Sequence, residues 1–166
     1  MTRASSPARA TATESHSEPY PPPLTRPKPA PPPPLGHVLI VDDNAINLRV
    51  AKSLCELLGL TSEFASDGLE AVDTAAKGAF DLILMDICMP GMDGVEAATA
   101  IRGLPGSAGQ VPIIAVTANV EPSQVARYLA SGMCAVVAKP VRISALIAAI
   151  RHALEEGPRQ IQALAV

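Results

Sequence analysis

Residues 80–94 read FDLILMDICMPGMDG. Phe80 to Met85 is a continuous apolar run that stops at a single carboxylate, Asp86, with Pro90, Gly91 and Gly94 close behind. A run that short, bounded by turn-forming residues, predicts a strand buried on both faces. Asp86 then lies at the C-terminal end of a buried strand, the edge of an open α/β sheet where ligands bind. Taken alone, such an Asp is better explained as a helix N-cap or as a loop residue held by backbone amides. The neighbouring segments decide between these readings.

Upstream, His37 to Asp43 (HVLIVDD) is another apolar run, ending in two carboxylates. Ala45 to Leu58 carries Ile46, Val50, Leu54, Leu57 and Leu58 at helical spacing and is closed by Gly59. Thr61 to Ala65 predicts a short, more polar strand suited to a sheet edge. Asp67 with Glu70 three residues on predicts a capping box for a helix that runs to about Lys77 and stops at Gly78. Downstream, Val95 to Arg102 predicts an Ala-rich helix, Gly103 to Gln110 a loop, and Val111 to Thr117 (VPIIAVT) a further buried strand. Pro122 suits the first turn of a helix to Ala130, stopped at Gly132. Cys134 to Ala138 is a small apolar strand followed by Lys139 and Pro140. Val141 to Glu155 is the last helix, ended by Gly157 and Pro158. Five strands alternating with five helices imply right-handed βαβ crossovers and a parallel sheet, with the nearly all-apolar first, third and fourth strands at its centre.

Composition bounds the function. The chain is 48% hydrophobic but only 2% aromatic and has no Trp, so the core must be aliphatic. A net charge of −3 offers no case for nucleic-acid binding. Cys55, Cys88 and Cys134 are odd in number and lack metal-site spacing, as expected of reduced thiols in a cytoplasmic protein. No stretch is long enough to span a membrane, and the N-terminus lacks the apolar core of a secretory signal. Residues 1–35 hold 11 of the 17 prolines and almost nothing that can form a core. They predict a disordered tail or linker of polyproline-II character, alternatively a ligand for proline-binding modules. The domain is expected at 36–156, followed by a loosely held tail at 157–166.

In a parallel sheet all C-terminal strand ends share one edge. Asp42 and Asp43, Asp86, Thr117 and Lys139 therefore converge on one crevice. Three carboxylates this close repel, and ionising all of them is costly without a cation. An all-oxygen cluster with few protein ligands suits Mg²⁺, which keeps several waters and often bridges to phosphate. Lys139 offers a point charge for a phosphate oxygen and Thr117 a hydroxyl donor.

The motifs VDDN at 41–44, LMDICMPGMDG at 84–94, VTA at 116–118 and KP at 139–140, taken in order and spacing, resemble the receiver domain of two-component response regulators. The resemblance runs from about Gly36 to Glu156. It implies a flavodoxin-like (βα)5 doubly wound sheet of strand order 2-1-3-4-5, for which receiver proteins are themselves a standing example. It also implies that Asp86 is a phosphoacceptor, taking a phosphoryl group from phosphohistidine to give an aspartyl phosphate. Asp42 and Asp43 match the pair that holds Mg²⁺ together with Asp86, and the backbone carbonyl of Cys88 the remaining protein ligand. Mg²⁺ and Lys139 would neutralise charge on the transferring group. Thr117 matches the switch residue, small Ala118 leaves the phosphoryl group accessible, and Lys139–Pro140 matches a cis peptide that aims Lys139 inward. Cys88 and Asn119 stand at the two positions that tune phosphoryl lifetime.

Two departures bear on the output. Val136 stands where the family usually has Tyr or Phe, so an aromatic swing at that position is not available to relay Thr117. Cys134 stands where Asp or Asn is common. The implied partners are a sensor histidine kinase or histidine phosphotransfer protein and a downstream protein target, with Asn44, Ile46 and Asn47 as docking candidates. Ile46 is equally explained as a core residue. Nothing after Glu156 reads as an output domain, and NAINLRVAKSLCELLG and MPGMDGVEAATAIR look most like receivers of hybrid kinases. The chain is thus expected to be a signalling phosphoacceptor, not an enzyme beyond its own phosphorylation and dephosphorylation. A phosphohydrolase with an aspartyl-phosphate intermediate would need a second Asp where Cys88 stands. A non-phosphorylated pseudo-receiver is opposed by intact Asp42, Asp43, Asp86, Thr117 and Lys139.

Overall fold

The apolar runs become the strands of one parallel sheet. β1 (Gly36–Val41), β2 (Leu60–Ala65), β3 (Leu82–Asp86), β4 (Ile113–Thr117) and β5 (Ala135–Ala138) pair in the order β2-β1-β3-β4-β5. They are joined by α1 (Ala45–Leu57), α2 (Gly68–Lys77), α3 (Gly94–Arg102), α4 (Pro122–Ala130) and α5 (Ile143–Glu156), with a single 3-10 turn at Ala108–Gln110. This is the expected flavodoxin-like doubly wound fold. The computed structural model describes residues 34–156, so the proline-rich segment expected at 1–35, all but its last two residues, and the tail at 157–166 lie outside the described residues.

Every residue of β3 is buried because successive side chains feed opposite faces. Leu39, Val41, Ile83, Met85, Ile113 and Ala115 point into a core covered by α2, α3 and α4. Val38, Ile40, Leu82, Leu84 and Ile114 point into a second core covered by α1 and α5. Small residues at the contact faces, Ala71 and Ala75 on α2 and Ala97 and Ala98 on α3, are buried in the first core.

The boundaries shift where local chemistry competes with the apolar pattern. β3 begins at Leu82, not Phe80, because the preceding residues close the sheet's N-terminal edge instead of extending it. The Phe80 ring stacks on His37 at 4.9 Å, and the Asp81 carboxylate accepts the His37 N–H at 2.7 Å. β4 begins after Pro112, which has no N–H for the ladder. The Lys139–Pro140 peptide is cis, as expected, and α5 starts beyond it at Ile143, not Val141. The capping box expected at α2 is half made. Asp67 accepts from the Glu70 N–H at 2.8 Å, but the Glu70 carboxylate reaches past it to Ser66. A complete box closes α3 instead, where Asp93 accepts the Glu96 N–H at 2.8 Å and the Glu96 carboxylate accepts the Asp93 N–H at 3.0 Å.

That box starts α3 beside the end of β3. Gly94 donates its N–H to the Ile87 carbonyl at 3.0 Å, and a Cβ on it would sit 2.1 Å from the Asp86 carbonyl oxygen. The backbone carrying Asp86 therefore packs directly on the start of α3. Gly94→Ala should cost about 2 kcal/mol of stability through overpacking against backbone that has nowhere to go. A urea midpoint equal to that of the parent protein would contradict this packing.

Candidate functional site

The strand order reverses between β1 and β3, and the loops after the strands open a crevice there. Asp42 follows β1, Asp86 ends β3, Thr117 ends β4 and Lys139 follows β5. Lys139 Nζ donates to Asp86 Oδ2 at 2.9 Å and to Asp42 Oδ2 at 3.0 Å. Both carboxylates are buried, Asp42 5% and Asp86 4% exposed, while Asp43 faces solvent. Oxygens of Asp42, Asp43 and Asp86 lie within 4.8 Å of one another. With all groups ionised, three carboxylates against one ammonium leave the cluster at −2.

The two buried carboxylates are held differently. Asp42 accepts the Asn44 N–H at 2.8 Å, and the Asn47 side-chain amide donates to both of its oxygens at 3.0 Å. Asp86 accepts only the Cys88 N–H, at 3.3 Å, besides the Lys139 ammonium. Burial pushes the Asp86 carboxyl above its ordinary range, helped by the neighbouring Asp42 charge and opposed by Lys139 and the Cys88 N–H. Burial also acts to lower the Lys139 ammonium, but its bonds to Asp86 and Asp42 outweigh this and leave it above its usual value. The outcome is an ammonium held in its charged form beside a poorly solvated, lightly held carboxylate.

Thr117 is fully buried. Its hydroxyl accepts the Asn119 N–H at 3.1 Å, and its carbonyl accepts the Lys139 N–H at 2.7 Å, so the backbone at the end of β4 sets the position of Lys139. Ala118 and Cys88 are exposed beside the crevice. Cys55 and Cys134 are buried free thiols. Burial, with the Glu56 charge, pushes Cys55 up to about 11, and burial likewise raises Cys134.

The structure therefore brings Asp42, Asp43, Asp86, Thr117 and Lys139 to one edge, as the sequence predicts. The docking candidates divide. Asn44 caps α1, accepting the Ile46 N–H at 2.9 Å. Asn47 turns inward onto Asp42. Ile46 is 70% exposed, so its alternative reading as a core residue does not hold. Next to Asp42 and Lys139 lies a largely apolar cleft of about 260 Å³ between α1 and α5, lined by Val50, Ala51, Leu54, Val141 and Leu146. Val136 is buried in the same core as Tyr128 of α4. The sequence reading missed Asn47 as the group that fixes Asp42, although an Asn in the first turn after an acidic pair is a visible signal. No helix among the described residues is long and apolar enough to cross a membrane.

Residues 38–151 match the family model of the response regulator receiver domain, and the chain belongs to that family. Among curated relatives it is 42% identical over 130 residues to the sensor histidine kinase AruS of Pseudomonas aeruginosa, covering 78% of this chain and 13% of that protein. It is 43% identical over 104 residues to the histidine-protein kinase BarA of Escherichia coli, 63% of this chain and 11% of that protein. With the transcription factor SKN7 of Saccharomyces cerevisiae it shares 38% over 104 residues, 63% of this chain and 16% of that protein. The chain thus spans under a fifth of each of these relatives. Among solved structures, the receiver domain of the sensor histidine kinase PA1611 from Pseudomonas aeruginosa has a TM-score of 0.67 and 32% identity, covering 72% of this chain and 98% of that one. That domain was solved with a magnesium ion coordinated in its active-site cleft.

The raised Asp86 carboxyl has a consequence for stability. The folded state holds the Asp86 proton more tightly than the unfolded chain, so ionisation near neutral pH costs stability. That cost fades as pH falls through the raised value. Asp86→Asn removes the charge and leaves Lys139 paired with Asp42. At pH 7 it should stabilise the protein by about 1 kcal/mol, the usual scale for relieving a functional site. The gain should vanish in thermal melts near pH 4, and a lower melting temperature at pH 7 would contradict the reading.

Proposed function

We propose that the chain is the phosphoacceptor of a phosphorelay, with Asp86 receiving a phosphoryl group from phosphohistidine. The observation that carries this reading is the pairing of a buried, lightly held carboxylate with a half-buried ammonium and two further carboxylates at one strand edge. An Asp86 oxygen attacks phosphorus, the P–N bond breaks, and its electron pair returns to the imidazole of the donor. Little covalent chemistry is asked of the protein, and the task is to position the groups and offset charge. Lys139 does both, orienting Asp86 before transfer and facing a phosphoryl oxygen after it. Thr117 turns its hydroxyl to a second phosphoryl oxygen.

The donor set fits a hard divalent cation, because every side chain offered is an oxygen and the cluster carries excess negative charge. Asp43 and Asp86 would hold Mg²⁺ with the Cys88 carbonyl, and Asp42, whose oxygens are already bonded by Asn47 and Asn44, would act through water. Bound there, Mg²⁺ supplies positive charge against the phosphoryl oxygens. Cys88 and Asn119, exposed on either side of the crevice, would set how readily water reaches the acyl phosphate. The exposed Ile46 and Val50 beside the apolar cleft fit the docking of a helix from a sensor histidine kinase or histidine phosphotransfer protein. Such a chain works in the cytoplasm through protein contacts and turns over only its own phosphate. A phosphohydrolase reading lacks its general acid, because Cys88 stands two residues after Asp86.

Incubation with acetyl phosphate and Mg²⁺ should place an acid-stable, base-labile phosphoryl group on Asp86, identified by peptide mapping. Asp86→Asn should abolish it, and Lys139→Ala should slow it by roughly 10²–10³, the scale of losing one charge-stabilising group. Label on another residue, or equal labelling without a divalent cation, would overturn the proposal.

A further inference from the structure

We infer that Tyr128 is the positioning residue that links Thr117 to α4, in place of the aromatic missing at Val136. The inference rests on the phosphoacceptor reading above. Val136 is buried and aliphatic, and a Val side chain offers no hydroxyl and no ring to swing between two positions. The first core nevertheless holds one aromatic side chain among its buried residues, and it comes from α4. Tyr128 is 2% exposed and is the one buried residue of α4, whereas α3 buries Gly94, Val95, Ala97, Ala98 and Ile101. The seating of α4 therefore depends on this side chain more than on any other.

Tyr128 also reaches the switch. Its hydroxyl donates to the Asn119 carbonyl at 3.3 Å, and the Asn119 N–H donates to Thr117 Oγ1 at 3.1 Å. The Asn119 side-chain oxygen accepts the Glu121 N–H at 3.1 Å, and Glu121 is the N-cap residue of α4. One residue, Asn119, is thus bonded on one side to the Thr117 hydroxyl and on the other to the interior and the start of α4. At the far end, the Tyr128 carbonyl accepts from Ser131 Oγ at 2.7 Å and from the Met133 N–H at 3.3 Å, which leads into β5. The Tyr128 hydroxyl bond is long for O–H···O, so a small displacement of Asn119 breaks it. When Thr117 turns toward a phosphoryl group, Asn119 loses its partner at the hydroxyl, its carbonyl moves off Tyr128, and the buried ring resettles with α4. The neighbouring exposed Val120 would be the side chain most directly re-presented to a partner.

A ring that only filled space would need no hydroxyl, so Tyr128→Phe separates the two roles while keeping the core volume. The probe is beryllium fluoride with Mg²⁺, a phosphoryl mimic, with its occupancy read by fluorine NMR. In the parent protein the probe should change hydrogen exchange over residues 119–130. Tyr128→Phe should still bind the probe, at least as tightly as the parent because no Tyr128 bond has to break, show faster exchange there without it, and lose most of the probe-dependent change. The chain has two tyrosines and no Trp, so Tyr20→Phe leaves Tyr128 as the sole tyrosine emitter. Its emission should change on adding the probe. An unaltered response in Tyr128→Phe, or unchanged Tyr128 emission at full occupancy, overturns the inference alone. Failure of the parent protein to bind the probe overturns the phosphoacceptor reading and the inference together.

Discussion

Two buried carboxylates share one ammonium. Asp42 and Asp86 each lie about 3 Å from Lys139 Nζ, at 3.0 and 2.9 Å, and almost all else in the crevice follows from keeping that arrangement in place. Removing the ammonium would strand two buried charges, a cost on the order of 3–5 kcal/mol by analogy with other broken buried pairs. With it, the cluster still carries surplus negative charge once Asp43 is counted. The cluster is therefore paired well enough to stay buried and keeps the excess negative charge on which the proposed cation site rests.

The parallel sheet is what makes the arrangement possible. The groups come from positions 42, 86, 117 and 139, far apart in sequence, and only the shared C-terminal edge of β1, β3, β4 and β5 brings them together. Local packing then divides the roles of otherwise equal carboxylates. Asn47 and the Asn44 N–H hold Asp42, whereas Asp86 has just the Cys88 N–H beside Lys139, which is why the proposal gives Asp86 the reactive role. Gly94 lets the start of α3 press against the Asp86 backbone, which fixes where that carboxylate stands. On the neighbouring strand end Asn119 is bonded both to the Thr117 hydroxyl and to Tyr128 of α4.

The site's five residues were legible because the runs that become β1, β3, β4 and β5 are almost wholly apolar and each is ended or followed by a polar residue, and parallel topology does the rest. The strand order came with the family resemblance. Less was legible where a decision turns on a three-dimensional contact. The stacking of Phe80 on His37 that shortens β3 joins positions with no pattern in common. The Glu70 carboxylate chose Ser66 over Asp67, a matter of one rotamer. DGVE at 93–96 carried the same capping signal and went unread beside the more conspicuous Asp86 motif. Tyr128 lies inside the helix expected from Pro122 to Ala130 with no motif to mark it, and its bond to Asn119 depends on how α4 packs across the sheet edge.

The central claim is that the surplus charge around Lys139 builds a site for one hard cation. Calorimetric titration with Mg²⁺ at neutral pH measures it directly. The account predicts saturable binding of one ion per chain, weakened tenfold or more (about 1.4 kcal/mol) in Asp43→Asn. Absence of saturable binding, or an affinity unchanged by Asp43→Asn, would contradict it.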